Sequence, residues 1–60
     1  MKPLIFGPWH FWQGVGGFLL SNEDRKELNS FATIDAAVNF LFFIDKEAAR
    51  YINKTAKGQA

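Results

Sequence analysis

His10 is the one histidine in this 60-residue chain, and cysteine is absent. On paper His10 combines with Ser21 or Ser30, and with Asp24 or Asp35, into a base, a nucleophile and an acid. Such a set works only when the hydroxyl is presented on a sharp, strained turn with the base locked beside it. Neither serine lies in a turn of that kind. Asp45 and Glu47, two positions apart, project from different sides of a helix and make poor paired carboxylates. A structural zinc site finds no thiolate and a single imidazole. The run Gly14-Val15-Gly16-Gly17 resembles a phosphate-cradling loop only loosely: the dinucleotide pattern needs glycine where Leu19 stands, and the P-loop's Gly-Lys-Ser/Thr is missing. These glycines read instead as a flexible turn that needs positive φ. Asn53-Lys54-Thr55 fits the glycosylation triplet, which carries no meaning without a secretory signal. The expectation is therefore a protein that is not an enzyme, with no catalytic or metal-binding residues, no cofactor and no small-molecule substrate.

Chemistry of contact remains. Aromatic residues make up 17% of the chain, and each can bury roughly 150–250 Å². A domain this small removes only about 60% of its unfolded surface from water, so its core cannot absorb them all. With disulfides and metals excluded, association with another chain is the remaining source of stability. The run from Pro3 to Asn22 sharpens this reading, because it holds both tryptophans and no Asp, Glu, Lys or Arg. The function expected is a small protein–protein interaction or regulatory module that self-associates, a homodimer being the simplest form. Its contact residues are read as Trp9, Phe11 and Trp12 from the first half and Phe40, Phe43 and Tyr51 from the second, since aromatic anchors concentrate binding energy.

Charge argues about the alternatives. The net charge is +1, and the sequence pI is near 8.1, too weak for a dedicated nucleic-acid binder. Lys26, Arg50, Lys54 and Lys57 are the candidate phosphate contacts, with exposed aromatics to stack bases, if the chain were a nucleic-acid-binding regulator. No basic residue is interleaved with Trp9, Phe11, Trp12 or Phe18, whereas stacking platforms sit in a positive groove. The uncharged run has the length of a membrane span but is broken by Pro3, Gly7, Pro8, Gly14, Gly16 and Gly17, which leaves unsatisfied backbone groups in lipid. A tryptophan-anchored interfacial segment lacks the flanking lysines and arginines that such segments carry. No transmembrane segment is expected, and a cytoplasmic location is the default.

The elements that position these residues divide near residue 32. Leu4–Phe6 reads as a short strand ended by Gly7-Pro8. Trp9 to Gln13 reads as a second strand with Trp9 and Phe11 on one face and His10 and Trp12 on the other, so at most one tryptophan points into its own domain. Phe18–Ser21 and Lys26–Phe31 then form a hairpin around an Asn22–Arg25 tip, with a helix over Leu19–Leu28 as the competing reading. Thr33 is a helix N-cap, Asp35 suits the first turn, and Ile34, Ala37, Val38 and Leu41 recur at helical spacing. That stripe puts Phe43 on the opposite side and Phe40 on a flank with Ile44 and Tyr51. An unbroken helix would bring Asp45 into the apolar face, at a cost. The reading adopted breaks the helix at Ile44 and makes Asp45 the N-cap of a second helix; a bent helix with Asp45 paired to Arg50 of a neighbouring chain is the alternative. The fold class is α+β: one domain over residues 1–60, a short antiparallel sheet packed against helices at about 33–43 and 46–54, with a tail fraying over 56–60.

Overall fold

The structure is a computed structural model and describes residues 1–59. Four strands form an antiparallel sheet in the order of the chain: β1 (Leu4–Phe6), β2 (Trp9–Gly14), β3 (Gly17–Asn22) and β4 (Glu27–Phe31). Two helices follow, α1 (Ile34–Phe42) and α2 (Lys46–Gly58). The architecture is α+β, as the sequence pattern implied.

Turn chemistry sets the register. Phe6 pairs with Trp9, so Gly7-Pro8 is a two-residue hairpin loop, and Gly7 takes φ 58°. A type II′ turn places its glycine at that first central position. Gly14 pairs with Gly17, and the stretch expected to be a flexible connection is another tight hairpin loop, Val15-Gly16, with Gly16 at φ 81°. The third loop is Glu23–Lys26, one residue later than the sequence suggested. Asn22 stays in the ladder, opposite Trp9 on one side and Glu27 on the other. It is buried, and its Oδ1 accepts the Arg25 backbone N–H at 2.9 Å, a local bond by which asparagine shapes turns from their first position. The Leu19–Leu28 helix is excluded by this hairpin.

Both helix starts follow the sequence. Thr33 Oγ1 accepts the Ala36 N–H at 3.1 Å, and Asp45 Oδ1 accepts the Ala48 N–H at 3.1 Å. Each oxygen satisfies an amide that has no partner inside the helix. The helix break falls where Asp45 required it. α2 runs on beyond Lys54 to Gly58, and Ala56, placed by the sequence reading in a fraying tail, is buried in the core; Ala60 lies outside the described residues. Near the far end of α2, Lys57 Nζ meets Asp35 of the first turn of α1 at 2.9 Å.

The core lies between one face of the sheet and the helix layer. It comprises Leu4, Trp9, Phe11, Leu20, Ala37, Val38, Leu41, Ala48, Ala49, Ile52 and Ala56. Phe11, Leu20, Leu41 and Ile52 are its largest fully buried side chains. α2 packs on α1 and β1, while α1 packs on β4 and β3. Three alanines on the inner side of α2 allow its axis to come close to its neighbours, since interaxial distance is set by the side chains at the contact. Phe18 stacks on Phe11 with ring centroids 5.6 Å apart. At the two flanks Phe6 meets Tyr51 at 5.2 Å and Phe31 meets Phe40 at 5.4 Å.

Candidate protein-binding surface

Both helices cover the same face of the sheet, so the other face is bare. Strand alternation decides what lies on it. With Leu4, Phe6, Trp9, Phe11, Phe18 and Leu20 turned inward, the outward positions are Ile5 on β1, His10 and Trp12 on β2, Leu19 and Ser21 on β3, and Leu28 and Ser30 on β4. Cross-strand pairing arranges them in two rows. One reads Ile5, His10, Ser21, Leu28; the next reads Trp12, Leu19, Ser30. Ile5 is 60% and Leu28 63% exposed, Trp12 and Leu19 are half-buried cross-strand neighbours, and the Leu19 side chain leans over Gly14.

Among the described residues no Asp, Glu, Lys or Arg stands in these two rows. Charged residues cluster around the Glu23–Lys26 loop at its end, some of them paired. His10 Nε2 lies 2.9 Å from Glu23 Oε1, and Arg25 Nη2 lies 3.3 Å from Glu27 Oε1. Ser21 is the direct cross-strand neighbour of His10, so two members of the paper triad do stand together. The third group is Glu23 rather than Asp24 or Asp35, and it holds Nε2 from the rim. Among the described residues no hydrogen bond joins Ser21 to His10, no polar side-chain atom is buried without a partner, and no three His, Asp or Glu side chains gather for a metal ion.

The six aromatics singled out from sequence do not form one surface. Phe11 is fully buried and Trp9 nearly so, which corrects their assignment as contact residues: the face that carries them is the one the helices cover. Trp12 is on the bare face. Phe40 is half-buried against Phe31, and Tyr51 closes the core edge against Phe6 while staying 38% exposed. Phe43 is 92% exposed at the C-cap of α1, between exposed Phe42 and Ile44. Ile5, Val15, Leu28 and Ile44 are exposed as well, and half-buried Leu19 lies beside Trp12. Sequence reasoning missed them, although the alternation that turned Trp12 outward already implied Ile5 and Leu19 once the register was known.

Beside the β4 edge runs a shallow groove of about 430 Å³ lined by Arg25, Glu27, Leu28, Asn29, Phe40 and Ile44. A smaller hollow of about 280 Å³ sits at the Gly14–Gly17 turn against Ser30, Phe31 and Ala32. It contains no basic side chain to hold a phosphate. Three of the four basic candidates also lie apart from the aromatic face. Lys26 is in the β3–β4 loop, with φ 53°, while Arg50 and Lys54 are on the exposed side of α2 and Lys57 is engaged by Asp35. Because α2 buries Ala48, Ala49, Ile52 and Ala56 toward the sheet, its exposed cations point away from the layer on which Trp12 stands. Arg50 and Lys54 therefore lie on the helix side of the domain and Trp12 on the sheet side. Among the described residues no helix is long and apolar enough to cross a membrane.

No family model matches this chain, and neither the curated proteins nor the solved structures gave a match.

Proposed function

We propose that this protein is a non-enzymatic interaction module, of regulatory type, that binds protein and self-associates through the bare face of its sheet. The observation that carries the reading is the composition of that face: Ile5, Trp12, Leu19 and Leu28 with no charged residue among them, on a sheet whose other side is already covered. Contiguous exposed apolar surface of this kind marks interaction sites in small soluble domains. Its residue types fit a protein partner, since interface centres are depleted in charge and enriched in aromatics. To a nucleic acid it offers Trp12 to stack on but no cation for the phosphates.

The test is sedimentation velocity from low micromolar to near-millimolar protein, with Trp12→Ser as control, beside a titration with single-stranded and duplex DNA at about 50 mM salt, where phosphate contacts are strongest. Concentration-dependent association that Trp12→Ser removes, without a DNA shift, supports the reading. Association that ignores Trp12→Ser, or a clean monomer, counts against it. A salt-sensitive DNA shift replaces it with the nucleic-acid reading through Lys26, Arg50, Lys54 and Lys57.

A further inference from the structure

The geometry points to a second copy of this chain as the occupant of the bare face, packed sheet to sheet about a two-fold axis that runs parallel to the strands between β2 and β3. This inference rests on the interaction-module reading and adds the partner and its orientation. A two-fold interface must be self-complementary: whatever residue i touches in the partner, the partner's copy of i touches in return. Rotation about the stated axis lays β2 over β3 of the other copy and β1 over its β4. The rows on the face are chemically symmetric about that line. In the first row Ile5 and Leu28 stand at the ends with His10 and Ser21 between them. The rotation thus sets Ile5 over Leu28 and polar His10 over polar Ser21. In the second row it sets Trp12 over Leu19, the two largest central apolar groups. Within these two rows no apolar side chain is placed on a charge; Glu23, bonded to His10, and its cross-strand neighbour Pro8 lie at the end of the face.

Size fits a weak, transient dimer. At a spacing of about 4.8 Å and a rise of about 3.3 Å per residue, strands of 3, 6, 6 and 5 residues cover about 320 Å² of sheet per copy. Two such faces together bury on the order of 640 Å² before side-chain relief is counted, the small end of the range for transient contacts.

The absence of cysteine makes the orientation directly readable. Ile5 and Leu28 are exposed enough to replace without touching the core. Within one chain they are three strand spacings apart, about 14 Å, whereas facing positions on packed sheets are about 10 Å apart. The experiment treats the Ile5→Cys/Leu28→Cys double variant with a bis-maleimide that reaches about 10 Å, then maps linked peptides by mass spectrometry. The expected result is a covalent dimer joined from position 5 to position 28 of the other copy, with neither single cysteine variant linking. Trp12→Arg, which would bury a charge at the centre, should raise the dissociation constant by about tenfold or more while the circular dichroism spectrum is unchanged. Association that depends on Trp12 but gives no link between 5 and 28 overturns the orientation and leaves the interaction reading standing. Dimers linked instead by a cysteine at Ser30 or Asn29 to its own copy would place the contact at the β4 edge and overturn the orientation in the same way. A monomer at every concentration overturns both.

Discussion

The indole Nε1 of Trp9 donates a hydrogen bond to Oδ2 of Asp45 at 3.1 Å, while Oδ1 of the same carboxylate accepts the backbone N–H of Ala48 at 3.1 Å. One side chain therefore caps α2 and anchors the start of β2, joining residues 36 positions apart. It also explains how a buried tryptophan keeps its polar edge satisfied, as buried indoles generally do.

Removing the carboxylate should remove both bonds. Asp45→Ala is expected to lower the unfolding free energy by about 2 kcal/mol, from roughly 1 for the cap and 1 for the indole bond. Trp9→Phe keeps the cap and loses the indole bond together with some packing. A double-mutant cycle of Trp9→Phe with Asp45→Ala in urea denaturation should show a coupling of about 1 kcal/mol. Additive effects would mean that the bond contributes nothing.

Phe11 and Phe43 make opposite predictions from the same residue type. Phe11→Ala empties the centre of the core and should cost about 3–5 kcal/mol, enough to unfold so small a domain. Phe43→Ser touches a side chain that is 92% exposed and should change stability by no more than about 0.5 kcal/mol. Thermal melts of the two variants followed by circular dichroism check both. A stable Phe11→Ala protein would contradict a core centred on this ring.

The glycines flanking the Val15-Gly16 loop differ in what surrounds them. A Cβ on Gly17 would lie 2.6 Å from the Phe31 carbonyl oxygen, whereas one on Gly14 would lie 2.9 Å from Leu19 Cδ1, the movable end of a side chain. Gly17→Ala should force the β3–β4 backbones apart at a cost of about 2–3 kcal/mol, and Gly14→Ala should cost under about 1 kcal/mol. Denaturation midpoints of the pair decide the order. Equal midpoints would rule out the close approach of the two strands.

The two tryptophans should separate spectroscopically. In a Trp12→Phe protein the remaining Trp9, nearly fully buried, is expected to emit at short wavelength and resist iodide. In a Trp9→Phe protein at low micromolar concentration, Trp12 should be quenched readily. Its protection should grow with protein concentration as the bare face is covered. Equal quenching of both would contradict the inward and outward placement.

Much of this architecture is written in local signals. The caps Thr33 and Asp45 declare themselves because a hydroxyl or carboxylate ahead of an apolar-periodic stretch satisfies free helix amides wherever it occurs. Asp45 also betrayed the helix break, since continuing the stripe would have placed its charge among apolar neighbours. Gly7-Pro8 and the Gly14–Gly17 run marked turns by their own backbone preferences. The sequence pattern sets the third loop one residue early because polar Asn22 looks like loop, and only its pairing with Trp9 and Glu27 reveals that it remains a strand residue. Likewise, the sequence pattern ends α2 near Lys54, because a polar, basic end resembles a tail. What keeps that end helical is the burial of Ala56 and the meeting of Lys57 with Asp35.

By itself, then, the sequence determined the α+β order, the strand alternation, both helix starts and the fact that Trp9 and Trp12 must face opposite ways. Which of the two faces lies inside was decided only by tertiary structure. The pattern of β2 puts aromatics on both faces, Trp9 and Phe11 on one and Trp12 on the other, so it has no contrast between apolar and polar from which to choose. The choice came from a non-local fit. Ala37, Val38, Leu41 and the alanine side of α2 close over Phe11 and Leu20, Asp45 reaches the Trp9 indole, and the face that has no such partner among the described residues is left bare.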